Sequence, residues 1–307
     1  MSTPARFVHV VDDVPELDGQ SPVLLHALEG FLDAGHAGAL AVTHLLGDDP
    51  GRVVASFEVD EFFDYRARRP PLTFAEDHYE GYEAPRLVVR LQEDAAGTPY
   101  LLLHGPEPDT HWEAFSRAVA SVVERFSVRL VVGIGSVPMA VPHTRPVTLT
   151  NHANNRELLV QSNPWGGEIR VPSSAQSLLE IRLGEAGHDA CGFVAHIPHY
   201  VAQLDYPHAS AALLESVGGV TDLVWDLEPL RVAGEKRLGE IVQQIEDSTE
   251  VLEVVTGLEQ QYDAYHRAAA DPGANLLAES RDLPSGEELG AEFERFLAGL
   301  DNPDRED

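Results

Sequence analysis

Residues 110–136 read THWEAFSRAVASVVERFSVRLVVGIGS, and this stretch decides the fold class. Trp112, Phe115, Val119, Val122 and Phe126 recur at alternating steps of three and four, the spacing that lines one face of a helix. Thr110 and Glu113, three apart at its start, have the form of a capping box. Arg129 to Ile134 follows at once, a β-branched run without helical period and of the length of a buried strand. A helix feeding straight into such a strand predicts an α/β layer architecture.

The alternation extends outward on both sides. Upstream, Pro22 to Glu29 is a short apolar run of strand type, and Gly30 to Leu46 an Ala/Leu-rich helix with Asp33 able to cap it. Arg52 to Phe57 and Phe62 to Arg66 read as strands. Leu87 to Leu91 and Tyr100 to His104 read as a hairpin across the turn-rich Asp94 to Gly97. Downstream, Ser173 and Gln176 form a second capping box before a helix reaching Gly187. Ala190 to Ile197 is a buried strand and Pro207 to Val217 a helix. The sheet is expected to be largely parallel, and mixed at one side.

Charge divides the chain. There are 51 acidic and 21 basic residues, a formal net charge of −30, and Lys236 is the sole lysine. Residues 221–307 hold 22 of the acids and only 7 of the bases, half of the net charge in the last 87 residues. We therefore expect an α/β body over 1–220, an acidic helical extension over 221–300 and a disordered tail over 301–307. Within the extension, Leu238, Ile241 and Ile245 mark one stripe, and Asp247 with Glu250 restarts a helix. Val251, Val255, Leu258, Tyr262 and Tyr265 then keep a seam-like spacing, suited to packing on the body or to a partner. Ser285 and Glu288 open a last helix carrying Leu289, Phe293, Phe296, Leu297 and Leu300.

Several functions are disfavoured on composition. So negative a chain repels phosphate backbones, so no nucleic-acid partner is expected. The lone Cys191 allows neither an internal disulfide nor a multi-cysteine zinc site. The uncharged stretch Leu130 to Pro142 is far short of the ~20 residues that span a bilayer, and no export signal opens the sequence. The expected setting is cytoplasmic, without a membrane partner.

Three blocks carry a resemblance: Leu28-Glu-Gly-Phe-Leu-Asp-Ala-Gly35, Val131-Val-Gly-Ile-Gly-Ser136 with Pro142-His-Thr-Arg-Pro146, and His196-Ile-Pro-His-Tyr200 running through Asp205-Tyr-Pro207. In this order they resemble the PAC2 family, the proteasome-assembly-chaperone-2-like proteins, in its actinobacterial form, over roughly residues 20 to 260. The resemblance implies a three-layer α/β/α body similar to the purine nucleoside phosphorylase-like fold, with a helical C-terminal extension. It also implies a proteasome-related protein partner and self-association into a homo-oligomer. One departure is that the chain ends Asp304-Arg-Glu-Asp307, where proteasome-docking relatives can end in a hydrophobic-Tyr-x tail.

Each block follows an expected strand, so all three are placed at one strand-end crevice, where open α/β sheets gather ligands. The candidate pocket residues are Asp33, Gly35, Gly135, Ser136, Arg145 and His199, with the glycines allowing close backbone approach and Arg145 able to hold an anion. The alternative for them is ordinary caps and turns. Specific enzyme motifs are missing: Gly133-x-Gly135 meets Pro138 where a dinucleotide fingerprint needs glycine, no P-loop occurs, and Ser136 is not in a G-x-S-x-G elbow. His196, His199 and His208 form a weak metal set, because His-x-x-His across a strand end does not put both rings on one helical face. No cofactor is expected. Two functions remain: a non-enzymatic assembly or interaction protein, towards which the reading leans, and a small-molecule binder or enzyme taking a nucleoside- or carboxylate-type ligand.

Overall fold

The computed structural model describes residues 6–30, 32–159, 168–246 and 249–270. Its main feature is an eight-stranded mixed sheet. The strands lie in the order β1 (Val8–Val10), β3 (Arg52–Phe57), β6 (Val88–Glu93), β7 (Pro99–Pro106), β2 (Val23–Glu29), β8 (Leu130–Met139), β10 (Ala190–Pro198) and β9 (Leu149–Ala153). The central strands β7, β2, β8 and β10 are parallel to one another. Antiparallel pairs flank them on both sides, not on one side as expected, because β9 doubles back along β10.

Period-2 alternation sends successive side chains of β2 into different layers. Val23, Leu25 and Ala27 join one apolar core with α1 (Ala37–Leu46) and α5 (Pro207–Thr221). Ile241 and Ile245 of α6 (Glu228–Glu246) and Val255 of α7 (Thr249–Ala270) enter the same core. Leu24 and Leu28 face the other core, built with α3 (Trp112–Arg125) and α4 (Ala175–Glu185). Helices on both faces bury most of each central strand, which is why they read as continuous apolar runs.

Tertiary contacts moved several local expectations. Phe62 to Arg66 is not a strand: Val59–Phe62 forms a short helix, α2, with Asp60 and Glu61 in its first turn. The reason is the ring of Phe62, buried against Phe7, Phe57 and Phe115 at centroid distances of 5.8, 6.4 and 5.9 Å. Thr110 and Glu113 do not make a capping box, since His111 occupies the N-cap with φ 56°. The Thr110 hydroxyl donates to Glu61 O, and Glu113 pairs with Arg182 of α4. The second box is shifted by one residue: Ser174 and Ser177 form it, which releases Gln176 for another contact. Helix α1 starts seven residues later than expected, after a 3-10 turn over Ala34–His36 in which Gly35 has φ 65°. A small hairpin of β4 (Thr73–Ala75) and β5 (His78–Glu80) forms a separate two-stranded sheet with Phe74 and Tyr79 exposed.

Residues 6–159 and 173–259, where described, form one compact unit; 168–172 and 260–270 belong to a second. In the first, α6 packs along α5. The expected final helix and the 301–307 tail lie outside the described residues. Among the described residues no helix is long and apolar enough to cross a membrane.

Candidate functional site

The three sequence blocks meet at the carboxyl ends of β2, β8 and β10, and they are laced together by hydrogen bonds. Gly35 N–H donates to Ala202 O at 2.7 Å, and Tyr206 N–H donates back to Gly35 O at 2.8 Å. A glycine is required there: its φ is left-handed, and an added Cβ would stand 2.7 Å from the Tyr206 Cβ and 3.3 Å from Ile197. Ser136, almost fully buried on β8, places its Oγ 2.7 Å from Ala34 O and 2.9 Å from Asp33 Oδ1. One hydroxyl proton serves these two acceptors, so the serine latches β8 to the turn before α1.

Asp33 is fully engaged by its own chain. Its Oδ1 accepts from Gly38 N–H at 2.8 Å and its Oδ2 from Ala39 N–H at 3.0 Å. These are two of the amides that a helix start leaves without intrahelical partners. The carboxylate therefore caps α1 from three residues before the N-cap residue, reaching over the 3-10 turn.

The other candidates are spread out. Arg145 lies in the β8–β9 connection, with Nη1 3.3 Å from Glu259 Oε1, and Thr144 Oγ1 bonds the same carboxylate oxygen. That connection is also pinned from the 3-10 turn after β10 (His199–Val201): Tyr200 OH accepts from His143 N–H at 2.9 Å and lies 2.7 Å from His143 Nδ1. Burial pushes the Tyr200 phenol up to about 12 and lowers the His143 imidazole, so the contact joins a neutral phenol and an imidazole biased towards its neutral form. His199 is exposed on the following 3-10 turn, edge-on to Tyr200. Gly135 has nothing within 4 Å of an added Cβ, so the space above it is open.

The three histidines named as weak metal candidates occupy separate places. His196 is buried between the hydroxyls of Thr148 and Thr150, at 3.0 and 2.8 Å, and burial holds its imidazole down at about 4. His208 packs beneath Gly234 of α6, where an added Cβ would approach its ring to 2.7 Å. Among the described residues, no group of three or more His, Cys, Asp or Glu is arranged to hold a metal ion. Cys191 is buried, and burial pushes its thiol up to about 12, the behaviour of a packing residue.

An open cleft of about 670 Å³ lies elsewhere, lined by Ser56, Glu58, Asp60, Tyr65, Tyr82 and Arg86 among others. None of the candidate residues lines it. Sequence reading missed both this cleft and the Tyr200–His143 clamp, whose partners are 57 residues apart.

An α/β/α body with a parallel strand centre, its motif blocks joined at the strand ends, defines the class. The PAC2 family model matches residues 27–246, and the chain belongs to the PAC2 family. A Mycobacterium tuberculosis protein of unknown function is 47% identical with a TM-score of 0.81, covering 88% of this chain and 92% of its own. A Corynebacterium glutamicum protein of unknown function is 37% identical, TM-score 0.79, covering 84% and 97%. A Mycobacterium tuberculosis proteasome-assembly chaperone homologue is 27% identical, TM-score 0.67, covering 76% and 99%. No protein of curated function matches the chain.

Proposed function

We propose that this chain is a non-enzymatic assembly or interaction protein of the proteasome-assembly-chaperone type. What carries the reading is the likeness to the mycobacterial proteasome-assembly chaperone homologue, which extends over 99% of that chain. The chemistry at the strand ends is in keeping with it. Asp33 and Ser136 spend their hydrogen-bonding capacity on a helix cap and a loop carbonyl, and Arg145 faces a carboxylate. Groups so engaged position a backbone and do not present a nucleophile or base. The partner class is proteasome subunits, met as a cytoplasmic homo-oligomer with residues 221–300 as an acidic extension of the 1–220 body. Native protein should co-purify with proteasome α-subunits under mild, low-salt conditions, and sediment above monomer mass. Absence of α-subunits from such a preparation sinks the proposal.

A second reading keeps one specific support, the open space above Gly135 at the strand ends. It makes the crevice a site for a nucleoside- or carboxylate-type small molecule. A thermal-shift screen of nucleosides, phosphate and carboxylates decides it, since a ligand at about 100 times its Kd adds ~2.7 kcal/mol of stability.

A further inference from the structure

The stretch 65–82 holds five large apolar side chains out in solvent. Tyr65 is 37% exposed, Leu72 50%, Phe74 59%, Tyr79 72% and Tyr82 54%. Phe74 of β4 pairs with Tyr79 of β5, and their rings meet edge to face with centroids 5.0 Å apart. Each strand has three residues, and neither gives a side chain to either apolar core. A lone two-stranded hairpin is at best marginally stable in water, so these rings call for a surface to pack on.

The open cleft of about 670 Å³ adjoins the base of this hairpin. Tyr65 and Tyr82 line it, and Glu83 N–H donates to Pro71 O at 3.1 Å to close the base. Tyr65 is a fixed wall, its hydroxyl donating to Asp60 Oδ1 at 2.6 Å and its ring edge-on to Phe63 at 4.9 Å. One copy thus carries a projecting pair of rings and, beside it, a tyrosine-lined hollow. Charge on the same stretch is split in the same way. Among the described residues Arg66, Arg69 and Arg86 are exposed and make no ion pair, as do Glu76 at the turn and Glu83 at the base. Asp77 and Glu80 share only His78. Acids and arginines that do not meet within one copy are complementary between two.

We propose that the β4–β5 hairpin and the adjoining cleft form an interface for a second copy of this chain. Phe74 and Tyr79 of each copy pack on the Tyr65–Tyr82 wall of its partner, and the acidic turn of each faces the other's arginines. Both halves of the contact lie on one chain, which is what a two-fold, self-complementary interface requires. The area agrees. At about 200 Å² for each fully exposed side chain, the five exposures leave about 500 Å² of apolar surface per copy. Two copies together bury about 1,000 Å² of it, the level that a specific interface must clear. This deepens the homo-oligomer of the proposed function and rests on that reading.

The test is sedimentation equilibrium of the full-length protein from about 1 to about 100 µM. Wild type should rise above monomer mass with concentration. Phe74→Ser combined with Tyr79→Ser should associate at least about 30-fold more weakly, the scale of losing one interface hot spot. Glu76→Arg combined with Glu80→Arg should weaken association about tenfold. That result is discriminating, because the change also lowers the net charge of −30 and would favour association if charge acted only as repulsion. Val232→Ser, at an exposed position of α6, should change nothing. Circular dichroism confirms that each variant is folded. A wild type that stays monomeric overturns this surface and the homo-oligomer together, while co-purification with α-subunits is a separate result. Wild-type affinity in the ring variant, stronger association of the arginine variant, or loss of association in the Val232 variant overturns this surface alone.

Discussion

Replacing Asp33 by alanine removes the carboxylate that holds the start of α1 and the Ser136 hydroxyl together. Two amide bonds, from Gly38 at 2.8 Å and Ala39 at 3.0 Å, disappear with it. A helix N-cap contributes about 0.5–2 kcal/mol, and a negative charge at a helix start adds about 0.3–1. The third contact, from Ser136, has a substitute in Ala34 O and adds little. The expected cost is thus about 1–3 kcal/mol. For a unit of this size, each kcal/mol lowers Tm by roughly 2–4 °C, so the variant should melt about 2–12 °C below wild type. Asp33→Asn keeps one acceptor oxygen and should lose about half as much. Ser136→Ala should cost ~1 kcal/mol, and the double variant should fall short of the sum by ~0.5–1 kcal/mol, because the two side chains touch. Urea titration of wild type and the four variants measures the free energies, and thermal melts measure the Tm shift. If Asp33→Ala costs less than about 0.5 kcal/mol, an ordinary surface value, the carboxylate is not a structural latch and becomes available for binding or chemistry.

Three further outcomes are expected. His26, His104 and His196 are each lowered to about 4, burial being the first cause. The unfolded chain binds these protons nearer pH 6.5, so their contribution is complete above that pH and is lost as pH falls towards 4. His196→Gln should flatten the acid side of the Tm–pH curve, by on the order of 2 kcal/mol near pH 4.5, and parallel curves would contradict this. Gly35→Ala should destabilise by about 2–4 kcal/mol through its left-handed φ and its approach to Tyr206, read by urea midpoint. Cys191 should react with a thiol reagent only after denaturant is added; rapid native labelling would show that strand β10 opens.

The helices were legible because a stripe of apolar side chains is a local property. Phe115, Val119 and Val122 lie in the core of the expected helix, all at or near zero exposure. Their exact starts were not legible. Thr110 looked like a cap, but Glu61 O reached its hydroxyl first, and Glu113 found Arg182 on a different helix. Short edge strands such as Val8–Val10 and Leu149–Ala153 escaped notice because three to five residues carry too little alternation to stand out. The close packing of His26 on Gly133 and of His152 on Gly192 did leave a signal, since isolated glycines inside strands mark close approach, although not of what.

By itself, the sequence determined the layered α/β class, the three blocks that meet at the strand ends, and a net charge of −30. Each follows from composition or short-range periodicity. Only the tertiary structure decided what the polar residues do once they meet. Asp33 and Ser136 are 103 positions apart, and His26 and Gln176 are 150 apart. Hydrogen bonds depend on distances of tenths of an ångström, and strand order and helix placement alone bring such pairs to that range.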